Sequence, residues 1–205
     1  MSDPHSIALS ATDLSVGALS GISLKIPAGR VLALSGPSGS GKSRLLRALA
    51  DLDPHEGTVA LGDMRQDAVP GHRWRQAVMM VPADSQWWAD TVGEHFPDGA
   101  PEGLDTLGFE AEAMDWQVSR LSSGERQRLA LLRTVARQPR ALLLDEPTAN
   151  LDPDATARVE AWLTDLIARN GWPVVWVAHD PAQIKRVADA HLRIVGGHLE
   201  QAPCN

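Results

Sequence analysis

Val31-Leu32-Ala33-Leu34-Ser35-Gly36-Pro37-Ser38-Gly39-Ser40-Gly41-Lys42-Ser43 is the stretch that decides the fold. A short apolar run enters a Gly/Ser-rich loop. After the loop, Leu45, Leu46, Leu49 and Leu52 recur at helical spacing until Asp53-Pro54 stops the helix. Between a strand and a helix, Gly36–Ser43 has mechanical meaning as a phosphate-binding loop. Small residues at Gly36, Pro37, Ser38, Gly39, Ser40 and Gly41 let the backbone wrap a phosphate, and its N–H groups and the helix N-terminus face negative charge. Lys42 then reaches the β- and γ-phosphates, and the Ser43 hydroxyl ligates Mg²⁺.

Outward from that stretch, strands and helices alternate. Residues 7–9, 22–26 and 58–61 alternate like strands, and 77–81 is an apolar strand ended by Pro82. Residues 83–119 carry Gly, Pro and acids and read as a peripheral insertion of short helices. Residues 126–137 and 154–169 each place an apolar stripe on one helical face. The runs 141–144 and 174–178 read as buried strands, the second entered through an Asn170-Gly171 turn. A last helix is expected near 181–190, and Gly196-Gly197 links two short end strands. Buried strands alternating with helices imply a parallel sheet covered on both faces.

Leu142-Leu143-Leu144-Asp145-Glu146 delivers two carboxylates to a strand's C-terminal end, where open parallel sheets bind ligands. Paired with the phosphate loop, Asp145 is expected to hold Mg²⁺ through water and Glu146 to act as general base. Leu121-Ser122-Ser123-Gly124-Glu125 precedes a helix and reads either as a second anion site or as a plain Ser N-cap. His179 ends another strand, a position suited to a γ-phosphate contact or to a structural role. The remaining histidines (His5, His55, His72, His95, His191, His198) show no ligand spacing and read as surface residues.

Composition bounds the rest. The 205 residues are 43% hydrophobic, the size of one domain, and 19 Lys+Arg against 26 Asp+Glu give a net charge of −7. An acidic balance argues against nucleic acid as a partner. Asp98, Glu102, Asp105, Glu110, Glu112 and Asp115 carry −6 of it with no intervening Lys or Arg, either a docking patch or a solvated face. Cys204 excludes internal disulfides and Cys-based zinc sites. No apolar run approaches the ~18 residues needed to span a bilayer, and the first five residues lack a signal-peptide pattern. The seven tryptophans include an adjacent pair, Trp87-Trp88, read equally as an exposed interface anchor or as packing inside the insertion.

These motifs in this order resemble the ATP-binding subunit of ABC transporters, over nearly the whole chain. Gly36–Ser43 looks like Walker A, Leu121–Glu125 like the L-S-G-G-Q signature, Leu142–Glu146 like Walker B, Asn150-Leu151-Asp152 like the D-loop, and His179 like the switch histidine. The resemblance implies an α/β fold: a P-loop NTPase, RecA-like core with a mainly parallel sheet, a small N-terminal antiparallel β region and a short helical insertion. It implies one ABC ATPase domain over residues 1–205, with the helical part near 83–123. It implies ATP hydrolysis with Glu146, His179 and Lys42 as catalytic residues and Mg²⁺ on Ser43 and Asp145. ATP would be bound by Gly36–Ser43 and Arg44 of one subunit, with Ser122 and Gly124, and Asp152, reaching it from the other. The expected assembly is a head-to-tail homodimer or heterodimer on a separate transmembrane permease subunit, at the cytoplasmic inner face of the cell membrane.

The chain also departs from the family pattern. Ala83 stands where the family has a Gln that touches Mg²⁺ and relays nucleotide state, with Asp84 and Gln86 as nearby substitutes. Ser123 replaces a Gly, Glu125 a Gln and Arg44 a Thr. No aromatic precedes Trp74, so none near Val16 can stack on adenine. Besides a transporter motor, a soluble ABC-type ATPase, such as one of iron–sulfur assembly, and a weakly hydrolysing regulator remain open at this point. The 77 residues between Ser43 and Leu121 lack the heptads of a coiled-coil ATPase.

Overall fold

A computed structural model describes residues 7–96 and 99–204; the readings at Met1–His5 and Asp98 lie outside them. Two sheets form. One is antiparallel, in the order β2-β1-β4-β5, from β1 (Leu9–Val16), β2 (Leu19–Ile26), β4 (Glu56–Leu61) and β5 (Met64–Arg65). The other has six strands in the order β10-β9-β3-β8-β7-β6. Its members β3 (Val31–Ser35), β6 (Val78–Val81), β7 (Ala141–Asp145), β8 (Val174–Val177) and β9 (Ala190–Val195) pair in parallel, and only β10 (His198–Ala202) runs antiparallel.

The continuous apolar runs follow from burial on both faces. Side chains of a strand alternate between faces. Accordingly Val174 and Trp176 enter one core cluster while Val175 and Val177 enter the other, and Leu142 and Leu144 oppose Ala141 and Leu143 in the same way. The first cluster is covered by α3 (Ser123–Ala136) and α4 (Pro153–Asn170), through Leu129, Leu132, Val159, Leu163 and Ile167. The second is covered by α1 (Lys42–Leu49) and the antiparallel sheet, through Leu45, Leu46, Leu49, Leu14 and Ile22.

One local expectation is corrected. The helix after the glycine loop ends at Leu49 rather than at Asp53-Pro54, leaving Leu52 exposed. Its last carbonyls are captured from outside: Gln66 Nε2 donates to Ala48 O and Leu49 O, and Trp74 Nε1 donates to Leu49 O at 2.9 Å. Those donors, with Asp51 in the left-handed region at φ +59°, stop the helix by satisfying its C-terminus early. The short helices expected in the insertion between β6 and α3 are, among the described residues, 3₁₀ turns at Gly93–His95, Ala111–Asp115 and Val118–Arg120. Helical stretches that short cannot hold themselves; Val92, Phe96, Leu104, Leu107 and Phe109 hold them by entering the first core cluster. A short helix α2 (Gly71–Ala77), unforeseen from the sequence, precedes β6, and α5 (Pro181–Val187) precedes β9.

Candidate nucleotide site

Sheet order and register bring three motifs to one edge. In β3–β8 pairing Leu34 lies opposite Val177, and in β7–β8 pairing Asp145 lies opposite the same Val177. The C-terminal ends of β3, β8 and β7 are therefore level neighbours, carrying the glycine loop, His179 and Asp145-Glu146. The loop needs its glycines. Gly36 (φ +148°) passes so close to the chain that a Cβ would sit 2.9 Å from Ser40 Oγ and 3.1 Å from Ile194 O. Gly41 (φ +103°) precedes α1 and offers no side-chain cap, so the first-turn N–H groups face the loop. Lys42 is buried and donates from Nζ to Gly36 O at 3.1 Å and Pro37 O at 3.2 Å. Ser40 Oγ is buried with no partner among the described residues. A cleft of about 400 Å³ opens here, lined by Ser38–Arg44, Glu146 and His179, and by Val16, Ala18 and Leu19 of the β1–β2 hairpin.

The carboxylates are used differently. Asp145 is buried, and burial pushes its carboxyl above the usual range while Ser43 and Lys42 pull the other way. In a strand the next side chain would point to the opposite face. Glu146 instead leaves β7 in the left-handed region at φ +50°, a conformation that costs a non-glycine residue about 1–3 kcal/mol. That turn brings its carboxylate to the same cleft, with Oε1 2.8 Å from His179 Nε2. An ionised carboxylate only accepts, so Nε2 carries the proton.

Ser122 and Gly124 do not line this cleft. Ser122 caps α3 in a reciprocal box: its Oγ accepts from Glu125 N–H, and Glu125 Oε2 accepts from the Ser122 backbone and hydroxyl, each at 2.8 Å. These bonds, led by the Ser122 N–H, hold the Glu125 carboxyl below its usual range. Gly124 abuts the Asn150-Leu151 turn, where a Cβ would lie 3.1 Å from Asn150 O. The signature-like and D-loop-like segments are thus neighbours of each other and stand apart from the chain's own Lys42 cleft.

A family model described as "ABC transporter" matches residues 19–149 of the chain. The chain belongs to the ABC transporter family. It is similar to the aliphatic sulfonates import ATP-binding protein SsuB of Pseudomonas entomophila (strain L48), with 36% identity over 87% of this chain and 68% of that protein. It is also similar to the probable amino-acid import ATP-binding protein YxeO of Bacillus subtilis (strain 168), with 34% identity over 88% of this chain and 81% of that one. A bacterial Atm1-family ABC exporter solved with ATP bound superposes with a TM-score of 0.84 at 26% identity; the match covers 96% of this chain and 38% of the exporter chain. Within the family the chain is an ATP-binding, ATP-hydrolysing subunit of the kind that drives a transporter.

Against that ABC frame, the departures can be located. Ala83 is exposed just beyond β6 and lines a small cavity with Leu121, Gln127 and Asn150. Neither Ala83, Asp84 nor Gln86 lines the Lys42 cleft. His95, expected at the surface, is 1% exposed. The acids Glu102, Asp105, Glu110, Glu112 and Asp115 are all exposed, and none pairs with a described base. The site also has a support that the sequence reading missed. Thr148, two residues past Glu146, accepts from Gln183 Nε2 at 2.6 Å, and Gln183 also donates to Glu160 Oε1 at 2.9 Å. Arg186 holds the same Glu160 in a two-pronged contact at 2.8 and 2.9 Å. This network fastens α4 and α5 to the segments carrying Glu146 and His179. Its one legible sign was an acid, Glu160, next to Val159 within the apolar stripe of α4.

Proposed function

We propose that ATP lies with its triphosphate in the Gly36–Ser43 loop, and that Lys42, Glu146 and His179 hydrolyse it. The observation carrying this reading is the 2.8 Å contact between Glu146 and His179 at the mouth of the Lys42 loop. Lys42 exchanges its two loop carbonyls for β- and γ-phosphate oxygens, and Ser40 Oγ gains an acceptor. The γ-phosphate then competes for the His179 Nε2 proton. Once His179 turns to phosphate, Glu146 is free to accept a proton from the attacking water, a contribution of roughly 10²–10⁴ in rate.

A hard hydroxyl on Ser43 and a buried carboxylate on Asp145, which has no ion pair among the described residues, are donors suited to Mg²⁺. Such an ion draws its other ligands from phosphate and water, so no all-protein cage is needed. When bound, it neutralises the charge that develops on the transferred phosphoryl group. Ser122, Gly124 and Asp152, remote from their own cleft, face the ATP of a second subunit in a head-to-tail dimer. The assembly drives a separate membrane permease from the inner face of the membrane. Among the described residues, no helix is long and apolar enough to cross a membrane itself.

Glu146→Gln tests both halves. Its ATP turnover falls at least about 100-fold, while Mg-ATP converts it from monomer to dimer on sizing. Turnover near wild type would remove Glu146 as base. A monomer under conditions where bound ATP is measured would remove the composite site.

A further inference from the structure

One wall of the cleft is the phosphate loop, and the wall that the β1–β2 hairpin adds is aliphatic. Val16, Ala18 and Leu19 of the β1–β2 hairpin line it, and none offers a face for a nucleobase or a side-chain acceptor for an exocyclic amine. The one large planar group there is Arg44. It stands on the first turn of α1, lines the same cleft and is exposed. Its side chain lies across Gly17, in the two-residue turn joining the strands. A Cβ at Gly17 would be 2.2 Å from Arg44 Nη1, 2.8 Å from Cδ and 3.1 Å from Cζ. Gly17, at φ +61°, therefore serves twice: it makes the turn and gives the guanidinium a bed.

Arg30, Arg47, Arg65, Arg75, Arg169 and Arg186 each pair with an aspartate or glutamate, which commits their donors. Arg44 makes no hydrogen bond or ion pair with any described residue. Its plane rests on backbone and its donors are unspent, beside the wall of the cleft that the hairpin makes.

We propose that Arg44 is the base-contacting residue of this site, and that it makes the site a purine site with little preference for adenine. A guanidinium stacks on either purine, because stacking reads the π-face and not the edge. Its N–H groups can only donate. In a stacked pose they point past the base and not at its edge, so they read neither purine. None of the hairpin side chains, Val16, Ala18 and Leu19, rewards the adenine amine. GTP is therefore taken as readily as ATP. This inference rests on the reading that the Lys42 loop holds the triphosphate, so the test separates the two.

Binding of Mg-ATP, Mg-GTP and Mg-tripolyphosphate is measured calorimetrically for the wild type, Arg44→Ala, Arg44→Lys and Lys42→Ala. The wild type is expected to bind ATP and GTP within about threefold of each other. Arg44→Ala weakens both nucleotides about tenfold and tripolyphosphate less than twofold. Arg44→Lys, which keeps the charge without the plane, does not restore them. Equal weakening of tripolyphosphate would make Arg44 a phosphate contact and overturn the proposal. So would a wild-type preference for ATP above tenfold, or full recovery in Arg44→Lys. Tripolyphosphate binding that is absent, or untouched by Lys42→Ala, would instead overturn the placement of the triphosphate, and the role of Arg44 with it. Arg44 is exposed, so its variants keep the wild-type melting temperature and the comparison reads binding alone.

Discussion

The carboxyl edge of the six-stranded sheet and the segment between β6 and α3 are held together by different means. At the sheet edge, register decides: parallel pairing sets Leu34, Val177 and Asp145 level, and chemistry follows from whatever residue comes next in each strand. Among its described residues the β6–α3 segment has no ladder beyond a single bridge between Thr91 and Gln117. Its order comes from side chains. His95, buried, accepts from the backbone N–H groups of Trp88 and Ala89 at 3.1 and 3.2 Å and bonds Thr91 O through Nδ1 at 3.0 Å. Both tryptophan rings meet His95 edge-on, and the Arg133 guanidinium lies 4.5 Å from Trp87 and 4.8 Å from Trp88. Burial pushes the Arg133 guanidinium down to about 10, and its Nη1 donates to Gln86 O. A register tolerates the loss of any one side chain; a hub does not.

The exception at the sheet edge gives the largest expected effect. The Thr148–Gln183–Glu160–Arg186 network fastens the two helices behind the carboxylates, and Glu160→Ala strands its partners. Bonds to a charged group are worth about 1.5–3 kcal/mol, and half-exposed Arg186 keeps the expectation near the lower end. For a chain of this size that lowers the melting temperature by about 5 °C, and turnover falls as Glu146 and His179 lose their shared backing. The pH dependence has a definite sign. Burial pushes the Glu160 carboxyl up, but hydrogen bonds from Arg186 and Gln183 outweigh it and hold the group below its usual range. Its contribution is therefore full at neutral pH and is lost as pH falls through the ordinary glutamate range to that lowered value. The gap in melting temperature between wild type and Glu160→Gln narrows over that acid range. A constant gap would show that the carboxylate's charge does not matter there.

His95→Ala is the matching test of the hub. It unpairs three backbone groups and removes both ring contacts, for an expected loss of about 1–2 kcal/mol, or roughly 4 °C in melting temperature. Tryptophan emission shifts as Trp87 loosens, while ATP affinity is unchanged because no residue of the segment lines the Lys42 cleft. Weakened ATP binding would show that the two regions are coupled within one subunit.

The same contrast explains what could be read in advance. Strand ends are legible because local pattern fixes them: an apolar run places Asp145 at its end, a glycine loop implies its own conformation, and a strand-end His179 falls beside both once the sheet is parallel. The hub offers no such pattern. His95 carries no ligand spacing, and Arg133 is one of several arginines on α3. Only the fold shows that they share a centre with Trp87 and Trp88. The end of α1 was unreadable for a related reason, since Gln66 and Trp74 capture its carbonyls from 17 to 25 residues away. Base recognition was hidden likewise: absence of an aromatic is visible in sequence, but the bed that Gly17 makes for Arg44 is not.

The smallest expected effect separates two adjacent residues. Trp87 is half-buried and packs on the first core cluster, whereas Trp88 is 67% exposed, the most exposed large apolar side chain among those described. The pair is therefore neither an interface anchor nor internal packing as a unit. Trp87→Ala removes core contact and lowers the melting temperature by several degrees. Trp88→Ala removes one edge contact to His95 and one face of the Arg133 stack, an expected change within about 0.5 kcal/mol. An aromatic at such exposure is suited to meeting another protein. Equal destabilisation by the two substitutions would return both tryptophans to the interior and leave the segment without an exposed anchor.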